Sequence, residues 1–388
     1  MIAAQLTARF PSGMASLAIL LHVEQQTGSY GAAGLVLAST SIGQAVAGPV
    51  TSRWMGAWGM RRVLILTAAV CVLAVLGLGL LPLSVPGYMA LGLIAGLSTP
   101  PIQSAVRTIY PKLVNSSQLT PLFSLDASLQ EIIWIFAPVV ITLVSTQVGT
   151  TQGLLLVAVI LVFGCGWFVL SPEVGRVRIP RSRHAFGRVV LKPPVLLATV
   201  IGFLLIGACS AVEVGVVATF EHGSLEAGLV LGVFAVGSLV GGLSMGHIPI
   251  GPWAMARRLI IVMAGLSLTM VMLNVYWLGG TLLLAGVGIA PALAVLFAIT
   301  TASVKFSETA EAFGWAGTGQ LIGAAAGSAI AGFLVDSTGG AQGAYLAATL
   351  FAIVGVVVSV AFVRFFPDLR HRDPSPYPDT EPVAVTPS

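Results

Sequence analysis

All but one of the eighteen Lys and Arg residues fall in every second gap between long apolar runs, and that alternation constrains how the chain can be laid out. The runs lie at 2–24, 30–51, 63–82, 86–107, 119–145, 152–171, 194–219, 225–247, 257–277, 279–303, 312–335 and 340–365. Each is long enough to cross a hydrocarbon layer roughly 30 Å thick. Arg53, Arg61 and Arg62 occupy the second gap, Arg107 and Lys112 border the fourth, and Arg176, Arg178, Arg181, Arg183, Arg188 and Lys192 fill the sixth. Arg257, Arg258, Lys305, Arg364, Arg370 and Arg372 carry the pattern to the C-terminal tail, and the intervening gaps hold none. Basic residues are retained on the cytoplasmic side. The pattern therefore predicts an all-α integral membrane protein of twelve transmembrane helices, with both termini cytoplasmic, in the plasma (inner) membrane. Arg9, inside the first run, is the exception.

Charged residues make up 8% of the chain, against about 25% in a soluble domain, and mean hydropathy is +0.98. Lipid is the solvent that such a chain satisfies. The net charge of +4 comes from loops that face anionic lipid, so nucleic acid is excluded as a partner. Cys71, Cys165 and Cys209 lie inside apolar runs without metal-ligand spacing and read as small buried hydrophobes. No metal or cofactor is expected. The first run lacks a basic leader region and carries Arg9, which marks it as a retained span and not a removable signal. Six prolines interrupt the polar stretch 367–388, for which disorder is expected.

Enzyme signatures fail on context. Gly242-Leu243-Ser244-Met245-Gly246 matches the nucleophile-elbow pattern, but it lies within an apolar run, follows no strand and has no acid–base partners nearby. No Gly-Lys phosphate loop is present. The chain is therefore not expected to be an enzyme, and work across the bilayer would have to draw on a gradient.

The pentapeptide Ala33-Gly34-Leu35-Val36-Leu37 recurs as Ala227-Gly228-Leu229-Val230-Leu231, an offset of half the chain. With the same offset Gly43 and Gly48 map onto Gly237 and Gly242, and Gly28-Ser29 maps onto Gly223-Ser224 with one residue of slippage. Arg61-Arg62 maps onto Arg257-Arg258. The predicted organisation is a six-helix bundle over 1–171, a basic linker over 172–193, a second six-helix bundle over 194–366 and the tail 367–388.

Twelve spans, a basic central loop and half-chain repeats together resemble the major facilitator superfamily of secondary transporters. That resemblance implies two pseudo-symmetric halves that rock about a central site. The family's loop between helices two and three reads Gly-x-x-x-Asp-Arg-x-Gly-x-Arg-Arg. Here the segment runs Ser52-Arg53-Trp54-Met55-Gly56-Ala57-Trp58-Gly59-Met60-Arg61-Arg62. Gly59, Arg61 and Arg62 match, and with Arg53 they are the candidate gating loop. Gly56 stands where the family has its aspartate, which leaves the family's gate-latching charge pair incomplete. Only Ala137-Pro138 remains of the Gly-Pro motif typical of the family's antiporters.

An ionised side chain at the bilayer centre costs about 2.5–3.5 kcal/mol or more, so charges inside the spans are the candidate site. Span five enters from the basic side near Leu119. At 1.5 Å per residue, Asp126 then lies roughly 10 Å deep and Glu131 roughly 18 Å deep, near the midplane. Glu131 is the first candidate for proton coupling, its protonation set by how near Arg9 and substrate come; the structural alternative is a permanent ion pair or a carboxyl kept neutral by hydrogen bonds. Asp126, Arg9 and Glu213 are further candidates, with Arg9 either paired to a span-five carboxylate or snorkelling to the interface. Glu24 and Glu221 lie at or beyond outer helix ends. Gln103 in span four, Gln130 and Trp134 in span five, Asn274 in span nine and Gln320 in span eleven are candidate cavity residues, each alternatively an interhelical hydrogen bond. Pro100-Pro101 and Pro291 predict bent helices, and Gly319, Gly323 and Gly327 a close-packing face.

Few polar groups around one or two carboxylates and an aromatic ring suit an amphipathic or cationic molecule. The expected function is proton-coupled export of a small hydrophobic or cationic organic molecule by alternating access, performed by a monomer. The alternatives are a nutrient importer for a sugar or organic acid, or a non-transporting receptor or assembly protein of the same fold.

Overall fold

The computed structural model describes residues 1–182, 184–220 and 225–379, with Tyr30 described by its backbone alone. Arg183, Glu221, Gly223-Ser224 and the tail beyond 379 lie outside the described residues. The first half comprises α1 (Ile2–Thr27), α2 (Tyr30–Trp58), α3 (Met60–Leu80), α4 (Val85–Leu97), α5 (Ile102–Ile109), α6 (Ser116–Gln147) and α7 (Thr150–Leu170). A short α8 (Pro172–Arg176) opens the linker. The second half comprises α9 (Pro193–Thr219), α10 (Leu225–Met245), α11 (Ala254–Leu268), α12 (Val275–Ala302), α13 (Phe306–Thr338) and α14 (Gln342–Ala361). With α4 and α5 counted as one crossing, eleven units among the described residues are long and apolar enough to span a membrane. The 15-residue α11 supplies the twelfth.

Two spans differ from the sequence expectation. Pro100 and Pro101 remove two consecutive N–H donors and push the preceding residue out of helical geometry, so the fourth crossing is broken into α4 and α5 and not merely bent. Pro291 leaves α12 continuous, and its carbonyl accepts a hydrogen bond from Arg258 Nη1 at 2.9 Å. The ninth crossing ends at Leu268, so Asn274 is not inside it. Asn274 is the N-cap of α12, where its Oδ1 accepts from Trp277 N at 2.8 Å.

The repeated glycines make equivalent contacts in the two halves. Gly43 packs α2 against the α4 backbone at Leu93, and Gly237 packs α10 against the α12 backbone at Leu283, with no room for a Cβ at either. Gly48 and Gly242 instead face the opposite half, Gly48 against Gly314 of α13 and Gly242 against Ser128 of α6. Without lipid-driven attraction between apolar surfaces, close backbone approach is what holds such helices together. Gly319, Gly323 and Gly327 seat α13 on the α9 backbone at Thr199, Phe203 and Gly207.

The hydrogen bonds between the halves among the described residues run from the basic end to mid-depth. They include Arg53 Nη1 to Glu311 Oε2 at 2.8 Å, Thr318 Oγ1 to the Ala45 carbonyl at 2.7 Å and Ser124 Oγ to the Gly242 carbonyl at 2.6 Å. Ser238 Oγ to Glu131 Oε1, at 2.9 Å, is the one farthest from the basic end. Beyond it, α6 packs through the single stripe Ile133, Ala137, Ile141 and Ser145, and α13 through Gly323, Gly327 and Ala331. The consecutive residues Ser328, Ala329 and Ile330 are all exposed, which leaves most of the α13 circumference without a neighbour. In α2, α6, α10 and α13 only 28–33% of the most apolar window is buried, against 44–83% in the other spanning units. These four helices therefore meet at the basic end and border an open vestibule at the other.

In place of the disorder expected for the tail, residues 367–379 lie across the basic end of the second half. Leu369 N donates to the Ile250 carbonyl at 2.9 Å, Tyr377 N to the Val304 carbonyl at 2.9 Å, and Phe306 N to the Tyr377 carbonyl at 3.0 Å. Backbone groups of the α10–α11 and α12–α13 turns find partners in the tail, which its proline content did not foretell.

Candidate functional site

Five residues separate Asp126 and Glu131 on α6, a rotation of about 140° about the helix axis at 3.6 residues per turn. Asp126 therefore points into its own half and Glu131 toward the other. Asp126 Oδ1 accepts from Arg9 Nη1 at 2.8 Å, Tyr110 Oη at 3.0 Å and Gln5 Nε2 at 3.3 Å, and Oδ2 accepts from Arg107 Nε at 3.2 Å. Arg9 also donates to Gln5 Oε1 at 2.9 Å and to Gln130 Oε1. With its amide oxygen turned toward Arg107, Gln103 accepts from Nη1 and Nη2 at 2.7 and 2.6 Å. Gln5, Arg9, Arg107, Tyr110 and Asp126 are all buried. A buried carboxylate is tolerable when its lone pairs are filled by cationic and hydroxyl donors, and here all of them come from the same half.

The cluster holds two guanidiniums for one carboxylate. The surplus positive charge is met from the other half, where the Phe297 ring centroid of α12 lies 3.5 Å from the Arg107 guanidinium carbon. A cation over an aromatic face gains most when both are desolvated. Phe123, Phe297 and Phe313 pack around it with ring centroids 6.1–6.2 Å apart, which closes the route toward the basic end with apolar surface.

Glu131 lies on the vestibule side of this plug. Its one hydrogen-bond donor among the described residues is the Ser238 hydroxyl of α10, and no Lys, Arg or His of the described residues pairs with it. Glu213 of α9 is exposed and near enough for its charge to act on Glu131, with Cys209 close to both. Trp134 of α6 is 53% exposed one turn farther out. Gln320 lies against Gly202, its buried Nε2 without a hydrogen-bond partner among the described residues. Gln103 and Gln130 are tied to the Arg107 and Arg9 guanidiniums, and Asn274 caps α12, so these three are engaged in structural bonds.

At the basic end Arg53 bridges the halves through Glu311 and also donates Nη2 to the His184 carbonyl at 2.5 Å. The Gly187 N–H donates to Glu311 Oε1 at 2.8 Å, and Lys192 Nζ pairs with Glu308 Oε2 at 2.6 Å. The linker is thus threaded between α2 and α13 and held by two buried carboxylates of α13. The missing aspartate of the 2–3 loop leaves no unbridged gap here, because Arg53 reaches an acid on α13 instead. Gly59, at φ 90°, turns α2 into α3. Arg61 lies against Gly175 and points away from the other half, and Arg62 is exposed.

Sequence reasoning does not single out Arg107, Tyr110, Gln5, Ser238, Glu308 or Glu311. Arg107 stands at the end of an apolar run and reads as a loop cation. Its spacing from Gln103 and Tyr110, four back and three ahead, is the one signal that places a polar face there. Ser238 carries no signal at all, since serine recurs throughout the spans. Glu308 and Glu311 fall before the apolar run that begins at 312, whereas α13 starts at Phe306.

Among solved structures, a bacterial homologue of the iron transporter ferroportin in an outward-facing state superposes with a TM-score of 0.74 at 15% identity, covering 92% of this chain and 97% of that one. A human organic anion transporter gives 0.70 at 16% identity, again over 92% and 97%. A proton:xylose symporter gives 0.65 at 14% identity, over 93% and 94%. At such identities the likeness concerns the fold alone. No curated protein sequence matches. The family model described as Major Facilitator Superfamily matches residues 1–284 and 225–387, and with two six-helix halves around a central vestibule the chain belongs to that superfamily of membrane transporters.

Proposed function

We propose that this transporter exports a small hydrophobic or cationic organic molecule in exchange for protons, by alternating access, with Glu131 as the coupling carboxyl. The basic end is then cytoplasmic by the retention of Lys and Arg on that side, and the described conformation is closed to the cytoplasm and open outward. The observation that carries the reading is the Glu131–Ser238 contact at the floor of the vestibule. It joins the two halves through a carboxyl that has no cationic partner among the described residues, so separating the halves changes its surroundings. A proton or a cationic substrate can then replace the lost partner, but not both at once, which is the exclusion an antiporter needs.

The charge distribution supports a cation over an anion. Glu24, Glu131, Glu213, Glu226 and Asp336 lie at or beyond mid-depth on the open side, where the sequence has no Lys or Arg. A cleft lined by one sign of charge raises the local concentration of the opposite sign. The Arg53–Glu311 bridge and the clamped linker serve as the latch of the closed end. Purified protein in proteoliposomes with an imposed pH gradient should move protons when lipophilic cations are supplied. Absence of both proton movement and counterflow across a broad panel of cations would remove the proposal.

A further inference from the structure

A cavity of about 490 Å³ opens at the basic end between the α2–α3 turn and the start of the linker, walled by Trp58, Gly59, Arg61, Arg62, Gly175 and Arg178 among others. It lies apart from the vestibule and takes no part in the contacts between the halves. All three guanidiniums are exposed, and among the described residues none is in an ion pair. Arg61 donates Nη2 to the Ser171 carbonyl at 3.5 Å, the outer limit of a hydrogen bond. Three like charges gathered around one hollow repel each other, and an anion in the hollow reverses the sign of that term.

The backbone prepares the same spot. Gly59 adopts φ 90°, a left-side conformation that favours glycine, and this sharp turn brings the start of α3 to the cavity. No side chain caps α3, so its first N–H groups and the positive end of its dipole remain available to an anion. A Cβ at Gly175 would stand 2.7 Å from the Arg61 guanidinium, so the hollow owes its shape to the absence of a side chain there.

Trp54 and Trp58 show what surrounds the opening. They stack with ring centroids 4.9 Å apart and are 37% and 50% exposed. Exposed indoles at a helix end lie at the membrane–water interface. The cavity therefore opens at headgroup level, and its charge and position point to a phosphate carried by the bilayer.

We propose that this cavity binds the phosphate of an anionic phospholipid headgroup from the leaflet at the basic end. Arg61, Arg62 and Arg178 supply charge-assisted hydrogen bonds, the α3 N-terminus supplies backbone donors, and Trp58 packs against the glycerol region. Bound lipid ties the α2–α3 turn to residues 174–179, immediately ahead of the linker stretch that Glu308 and Glu311 clamp. Gly56 reinforces the same junction, where a Cβ would stand 3.1 Å from the Pro180 carbonyl.

The test uses the full chain in detergent, with phosphatidylglycerol, phosphatidylcholine or inorganic phosphate added, read by thermal unfolding and by native mass spectrometry of retained lipid. Phosphatidylglycerol should stabilise the protein and remain bound as a single copy, while phosphatidylcholine and inorganic phosphate do neither. Arg61→Gln with Arg178→Gln should weaken phosphatidylglycerol binding by about tenfold or more, and Arg364→Gln, a basic site elsewhere, should not. Equal retention of phosphatidylglycerol by wild type and the double variant overturns the proposal. So does full stabilisation by inorganic phosphate alone, which assigns the hollow to a soluble anion. If the double variant is not recovered, Arg178→Gln alone gives the same reading through the loss of retained lipid.

Discussion

Asp126 and Glu131 are both carboxyls within α6, yet one is enclosed by donors from its own half while the other reaches across to the opposite half for a single hydroxyl. The pair shows how five positions along one helix change whether a carboxyl meets its own half or the other. Asp126 is held by Arg9, Arg107, Tyr110 and Gln5, residues of α1, α5 and the turn after it that move together with α6 if the halves rock as rigid bodies. Under the proposed rocking motion the donors to Asp126 stay with it, and of this set only Arg107, which faces the Phe297 ring of the other half, would lose a neighbour. Glu131 keeps its Ser238 partner only while the halves meet, so its environment reports the conformational state.

The hardest test of this contrast is Asp126→Ala. It leaves two buried guanidiniums without their carboxylate, and removing one partner of a buried ion pair costs about 3–5 kcal/mol. The variant should unfold at a markedly lower temperature in detergent, and an unchanged melting temperature would show that the cluster is not what holds α1 to α6. Glu131→Gln should behave in the opposite way. The amide can still accept from Ser238, so stability should change by no more than about 1 kcal/mol, while gradient-driven transport is abolished and substrate exchange persists. Driven transport at the wild-type rate in that variant would take Glu131 out of the mechanism.

A finer distinction lies at the basic end. Arg53 is partly exposed and Glu311 buried, so a double-mutant cycle with Arg53→Gln and Glu311→Gln should give a coupling of about 1 kcal/mol. Each single variant should also make a cysteine introduced at Ala45 more reactive from the basic side, since the latch is weakened. A coupling near zero would mean that the linker, and not this bridge, keeps the end closed. An effect of similar size, without any loss of charge, is expected for Ser238→Ala, which removes one hydroxyl donor worth about 0.5–1.5 kcal/mol. It should shift the balance toward separated halves, visible as increased labelling of Ser124→Cys, without loss of driven transport.

The spans and the two halves are legible in the amino-acid sequence, and the candidate site only in fragments. Glu131, Asp126 and Arg9 stand out because charge in an apolar run is costly. The assignment of partners is not legible: Arg9 meets Asp126 and not Glu131, and Arg107, which reads as a loop cation, is buried beside them. Asn274 falls one element too early in a reading by hydropathy because the apolar run continues past the end of α11, where the backbone turns at Thr269–Val271. The tail misleads for a different reason. Proline and polar content argues against an independent core, but it does not prevent a segment from pairing with backbone groups that a neighbouring turn leaves open.

The pattern of apolar runs and basic gaps gave the number of crossings and their alternating direction, and the half-chain repeat pointed to a fold of two halves. The pattern could do so because a bilayer imposes a local rule, under which each crossing must satisfy its own backbone and be apolar along its length. Rotation about each helix axis obeys no such rule. Which way Asp126, Glu131 and Arg107 point is set by glycines such as Gly43, Gly237 and Gly323 that let one backbone approach another, and those approaches link residues far apart in the chain. The partners of the carboxyls therefore emerged only once the helices were packed.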